Sequence, residues 1–189
     1  MIDTKELIEI IWHGRGGQGS VAATGLVARA AINEGKYASA FPSFGAERRG
    51  APVIAFVRIH NKQPIRIRSE IDEPDVVVVL DSSLLRVVKI ASGLKKGGSL
   101  VINTTQSLQE IEDIFGTEWH LATVDATKIA REVLGVPIVN TAMIGALLKA
   151  TEVVKLESML EPLRYHFPSI AEKNMNAIKI AYRETLVKE

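Results

Sequence analysis

The sequence contains no cysteine among its 189 residues. Disulfides are excluded, and so is an iron–sulfur cluster held by thiolates of this chain, the usual way proteins hold one. Any redox centre the protein works with must come from another molecule. Histidine is nearly as scarce: His13, His60, His120 and His166 are far apart, with no H-E-x-x-H and no Cys/His zinc spacing, so no metal site is expected. Neither sign of charge is in excess. A formal net charge of +1 speaks against nucleic acid and against a polybasic membrane surface as partners. No apolar run reaches the roughly 18 residues of a membrane span. Asp3, Lys5, Glu6 and Glu9 interrupt the N-terminal stretch where a signal peptide would keep an apolar core. The expectation is a soluble, cytoplasmic protein.

The length suits one domain, residues 1–189. "LIEIIW" (7–12) reads as a strand, 14–19 as a glycine turn, and 20–33 as a helix that Ser20 can cap and Gly35 stops. A short strand at 37–41 leads to the loop "PSFGAERRG" (42–50) and a strong strand at 52–59. "VRIHNKQPIRIR" predicts an antiparallel hairpin, with its turn at Asn61-Lys62 and its second strand at 65–68. "PDVVVVLD" (74–81) is a β-branched run of the kind buried on both faces within a parallel sheet. A helix over 83–91, a strand at 99–102, a helix at 107–115, a strand at 120–124 and a helix at 127–134 follow. Helices at 141–150, 155–165 and 169–187 complete the chain. Alternating strands and helices give a three-layer α/β/α fold with a mostly parallel sheet, an antiparallel hairpin insertion and a helical C-terminal segment.

In open α/β sheets ligands bind beyond the carboxyl ends of the strands. There the sequence places His13-Gly14, Asp81, Asn103 and Asp125. Asp81 and Asp125 also read as caps of the helices that follow them. Gly14, Gly16 and Gly19 match G-x-G-x-x-G between a strand and a helix. Backbone N–H groups and the helix dipole favour an anion at such a turn. A tight turn that binds nothing is the plainer alternative. A dinucleotide site would need an acid at the end of the second strand, and "AFPSF" offers none, so NAD is disfavoured. Arg48 and Arg49 could meet the 2′-phosphate of NADP or the 3′-phosphate of coenzyme A. Without a ligand they would form a solvated loop, with Glu47 paired to one of them. An NADP enzyme would need a proton donor, and Tyr37, Tyr165 and Tyr182 lack a lysine four residues on. Asn140 heads "NTAMIGALLKAT" as a possible cap or a ligand-orienting amide.

"WHGRGGQGSVAATGLVARAA", "GKYASAFPSFGAERRGAPVIAFVRI", and "PDVVVVLD" followed by "NTAMIGALLKAT" together resemble the gamma subunit of pyruvate (2-oxoacid):ferredoxin oxidoreductase, over about residues 7–187. The resemblance implies a three-layer α/β fold and a non-autonomous part in oxidative decarboxylation of a 2-oxoacid. Coenzyme A takes the acyl group and ferredoxin the electrons. Alpha, beta and delta-type subunits are the implied partners, and they carry thiamine diphosphate and the iron–sulfur clusters. The turn Gly14, Arg15, Gly16, Gly17, Gln18, Gly19, the segment Arg48, Arg49, Gly50, and Asn140 are the implied coenzyme A contacts. No catalytic side chain is implied on this chain. The alternatives are a free-standing NADP-binding Rossmann-like protein and a purely structural subunit.

Overall fold

The computed structural model describes residues 5–43 and 50–188. Seven strands form one sheet: β1 Leu7–Arg15, β2 Tyr37–Pro42, β3 Pro52–His60, β4 Val76–Val79, β5 Ser99–Asn103, β6 His120–Val124 and β7 Leu186–Lys188. The helices are α1 Ser20–Asn33, α2 Leu108–Phe115, α3 Ala126–Leu134, α4 Asn140–Thr151, α5 Leu160–His166 and α6 Ala171–Glu184. The sheet order is β2-β3-β1-β4-β5-β6-β7. β1, β4, β5 and β6 are mutually parallel, while β3 and β7 run against their neighbours.

Side chains alternate cleanly across this sheet, as the period of a strand requires. Ile10, Trp12, Val76, Val78, Val101 and Ala122 face the layer built by α1, α3, α4 and α6. Ile11, Val77, Val79, Leu100, Ile102 and Leu121 face the thinner layer that includes Ile111 of α2. The valine run of β4 is therefore buried on both sides, as its sequence predicts. Helix α4 is almost wholly buried because α6 covers its outer side. A Cβ on Gly145 would run into the Ile178 carbonyl oxygen of α6, so the close approach of these two helices depends on that glycine.

Three expectations fail, each for a physical reason. The hairpin at 52–68 does not form. β3 already pairs with β1 on one edge and β2 on the other, so no edge is free for residues 65–68. The chain instead turns away after His60, whose Nδ1 accepts from the N–H groups of Lys62 (3.1 Å) and Gln63 (3.2 Å). The antiparallel part of the sheet is thus made by β2 and β3 at one edge and β7 at the other. The helix predicted at 83–91 is only a 3-10 turn, Ser82–Arg86. Two serines and the adjacent Val87 and Val88 are poor helix formers. The last predicted helix ends at Glu184, and Leu186–Lys188 adds the short strand β7 against β6.

Residues 62–70 form a strap after the turn. Arg58, 3% exposed, anchors it from below. Its guanidinium pairs with Glu9 at 2.8 Å and donates to the carbonyls of Ser69 (2.8 Å) and Glu70 (3.2 Å). Among the described residues no helix is long and apolar enough to cross a membrane.

Two glycine substitutions test the packing. Gly145→Val should lower unfolding stability by about 2 kcal/mol or more, the cost of overpacking a tight contact. Gly25→Ala, on an open face of α1 with nothing within 4 Å of the new Cβ, should raise it by about 0.5–1 kcal/mol. Chemical denaturation of the two variants measures both.

Candidate functional site

The glycine turn sits where β1 leaves the sheet. β1 runs three residues further than its apolar stretch suggests, because Arg15 still pairs with Pro52 of β3. The ladder then continues past the strand end: the Gly16 N–H donates to the Ala51 carbonyl (2.9 Å) and the Gly50 N–H to the Gly16 carbonyl (3.2 Å). Gly50 takes φ +82°, a left-handed backbone that favours glycine. So the end of the 42–50 loop is stitched to the glycine turn, two segments the sequence reading treats apart. Arg48 and Arg49, and the Glu47 pairing, lie outside the described residues.

Within the turn the Arg15 N–H donates to Gln18 Oε1 at 2.8 Å, and the Gln18 N–H returns to the Arg15 carbonyl at 3.0 Å. Both side chains then reach Asp81 Oδ2 at the end of β4, Arg15 through Nε (3.2 Å) and Gln18 through Nε2 (3.0 Å). Arg15 Nη1 also donates to the Gly50 carbonyl (3.0 Å) and Nη2 to Ser83 Oγ (2.8 Å). Burial opposes ionisation of Asp81, but hydrogen bonds from Ser83 and Gln18 and the charge of Arg15 outweigh it and hold the carboxyl below its ordinary range. Asp81 is thus an engaged brace and the cap of the 3-10 turn. Asp125 caps α3 through the Lys128 N–H. Asn103 donates to the Leu80 carbonyl and Thr127 Oγ1 and accepts from the Thr127 N–H, tying β4 to α3.

The expected caps of α1 and α4 are different in the structure. Gly19, at φ +81°, is the N-cap of α1, and Ser20 is its first residue. Ser20 Oγ is buried without a hydrogen-bond partner, packed where a Cβ on Gly14 would stand. Asn140 is likewise the first residue of α4 and does not cap it. Its Oδ1 accepts from the Thr141 N–H, and its Nδ2 lies 2.6 Å from where a Cβ on Gly19 would be. The turn and Asn140 are therefore in contact at Gly19, while Gly14 makes room for Ser20. The N–H groups of Gly17, Gly19, Ser20 and Val21 donate to no acceptor among the described residues. A helix start with free N–H groups attracts an anion. The glycine turn, Gly50 and Asn140 form one surface that suits a phosphate or pyrophosphate.

A cavity of about 750 Å³ lies elsewhere, lined by Glu34, Lys36, Leu148, Glu152, Lys155 and Tyr182. α1 and α4 both start at the glycine turn and end beside this cavity, so it belongs to the opposite end of the molecule.

His13, at the end of β1, is 7% exposed and faces the α2 layer with Ile11. Burial pushes its pKa down to about 4. The unfolded chain takes up the proton near pH 6.5, before the folded one does. This contribution to stability is complete above about pH 6.5 and is lost as the pH falls toward 4, by roughly 3 kcal/mol in all. His13→Gln should flatten that part of the stability–pH curve. For the turn, Gly19→Ala should destabilise by about 1–3 kcal/mol through left-handed strain and the clash with Asn140. Adding Asn140→Ala should recover the clash but not the strain, which a double-mutant cycle by thermal melting reads.

Comparison with known proteins places this geometry. The pattern of the pyruvate ferredoxin/flavodoxin oxidoreductase family matches residues 9–184. The chain is 54% identical over 185 residues to the pyruvate/ketoisovalerate oxidoreductases common subunit gamma of Thermococcus kodakarensis, covering 97% of this chain and 100% of that one. It is 49% identical to pyruvate synthase subunit PorC of Methanocaldococcus jannaschii, covering 96% and 99%. Its fold superposes on pyruvate oxidoreductase subunit PORC of Thermotoga maritima with a TM-score of 0.86 at 37% identity, over 98% of this chain and 100% of the other. It also matches part of the 2-oxoglutarate:ferredoxin oxidoreductase of Magnetococcus marinus, with a TM-score of 0.77 at 19% identity, over 95% of this chain but 31% of that one. The seven-stranded sheet, the glycine turn and these relatives agree: the chain belongs to the pyruvate ferredoxin/flavodoxin oxidoreductase family, as its gamma-type subunit.

Proposed function

We propose that this chain holds coenzyme A for acyl transfer within a cytoplasmic, multi-subunit 2-oxoacid:ferredoxin oxidoreductase, with pyruvate as the 2-oxoacid, and that it does so as one domain. The observation that carries this reading is the stitching of Gly50 to Gly16 beside free helix-start N–H groups and Asn140. Coenzyme A has what such a surface takes. Its pyrophosphate suits the N–H groups of Gly17, Gly19 and Ser20, its ribose 3′-phosphate suits Arg48 and Arg49, and Asn140 Nδ2 is a donor for the polar groups of the arm. Arg15 and Gln18 shape the turn from behind through Asp81.

The Magnetococcus marinus enzyme has coenzyme A and succinyl-CoA bound, but at 19% identity it speaks for the fold alone. This chain's own geometry supports a phosphate at the turn, and the family resemblance supplies coenzyme A as its owner. A chain without cysteine offers no thiolate to a cluster, in keeping with the division of labour the family resemblance implies, in which alpha, beta and delta-type subunits carry the iron–sulfur clusters and thiamine diphosphate. When bound in the complex, thiamine diphosphate supplies the stabilised carbanion chemistry that decarboxylates the 2-oxoacid. This subunit's contribution is proximity: it fixes the coenzyme A phosphates so that the thiol is delivered in one place.

The test is steady-state kinetics of the reconstituted complex with ferredoxin or a dye as acceptor. Arg48→Ala with Arg49→Ala should raise KM for coenzyme A roughly tenfold or more, the scale of lost charge-assisted hydrogen bonds. KM for pyruvate should stay unchanged. An unchanged KM for coenzyme A would remove the assignment of Arg48 and Arg49 to coenzyme A.

A further inference from the structure

Residues 64–68, Pro-Ile-Arg-Ile-Arg, have the sequence of a strand and no strand to pair with. Isoleucine and arginine alternate with a period of two, which gives an extended chain one apolar and one basic face. Both edges of β3 are occupied, so the segment cannot fold back on it. It runs over the surface instead. Ile67 is 56% exposed, and Arg66 and Arg68 are exposed too. Neither arginine forms an ion pair with any described residue, and the N–H groups of residues 65–68 donate to no described acceptor.

The segment is nevertheless held in place. At one end His60 Nδ1 takes the Lys62 and Gln63 N–H groups, while Lys62 pairs with Glu6 at 2.6 Å. At the other end the buried Arg58 donates to the carbonyls of Ile67 (3.4 Å), Ser69 and Glu70. A segment fixed at both ends, whose N–H groups at 65–68 donate to no described acceptor, has little ordering left to do on binding. It matches the mode in which an extended peptide adds a strand. A second copy of this chain is a poor occupant, because antiparallel self-pairing sets arginines near arginines.

We propose that residues 64–68 are a docking strand for an acidic, extended segment of another subunit of the complex. That segment pairs through main-chain hydrogen bonds, covers Ile67 and sets carboxylates against Arg66 and Arg68. The inference rests on the chain working as part of such a complex, as proposed above.

Amide hydrogen exchange, read by mass spectrometry on the isolated chain and on the assembled complex, tests it. The amides of 65–68 should exchange at least tenfold more slowly in the complex. The double variant Arg66→Glu, Arg68→Glu should weaken association with the other subunits at least tenfold and leave the melting temperature of the isolated chain unchanged. Equal exchange in both states, or wild-type assembly of the double variant, overturns the proposal. Protection that appears in the isolated chain and grows with its concentration assigns the strand to a second copy and overturns it as well. A chain that purifies from its native cell with no other subunit removes the reading of it as a subunit, and this proposal with it. A complex that assembles without protecting 65–68 removes the docking strand alone.

Discussion

The structure depends on the pairing of β1 with β3 along their whole lengths, from Leu7↔His60 to Arg15↔Pro52. β1 carries the parallel half of the sheet on its other side through β4. β3 carries β2 and, through it, the start of the 42–50 loop. Because the register holds to Arg15, the glycine turn leaves the sheet directly beside the point where that loop returns. Two hydrogen bonds between Gly16 and its neighbours Gly50 and Ala51 fix the junction. Without the antiparallel strand, the glycine turn would be an ordinary strand–helix turn of a parallel sheet, without Gly50 and Ala51 bonded to it.

The same pairing explains why the glycines cannot vary freely. Gly14 lies over Ser20, and Gly19 lies under Asn140, so the turn is pressed between the starts of α1 and α4. Beside these contacts, the N–H groups of Gly17, Gly19, Ser20 and Val21 donate to no acceptor among the described residues. Arg15, Gln18 and Asp81 stiffen the turn from the other face of the sheet. A motif that reads as phosphate-binding in sequence is therefore also scaffold: its Arg15 and Gln18 side chains brace it through Asp81.

Much of the fold was legible. The apolar and β-branched runs of β1, β4, β5 and β6 identified the parallel sheet, and Asp81 and Asp125 cap the elements that follow them as capping chemistry predicts. What was not legible was set by neighbours distant in sequence. Residues 65–68 carry a strand pattern, but whether they pair depends on which edges of β3 are free, and local sequence does not record that. Ser20 and Asn140 have the right identity for caps and sit one position inside their helices, because Gly19 and the packing between α1 and α4 decide where the helices start. β7 is three residues long, too short to show a period, and forms only because β6 offers an edge. At the site, the glycines and Asn140 could be singled out from sequence. Their mutual contact, and the link from Gly50 to Gly16, could not.

The most direct measurement is a cryo-electron-microscopy map of the assembled complex with coenzyme A bound. The account predicts the pyrophosphate within hydrogen-bonding distance of the Gly17 and Gly19 N–H groups, with Asn140 alongside and Arg48 or Arg49 on the 3′-phosphate. Coenzyme A seated wholly on another subunit, with the glycine turn buried against protein, would contradict it.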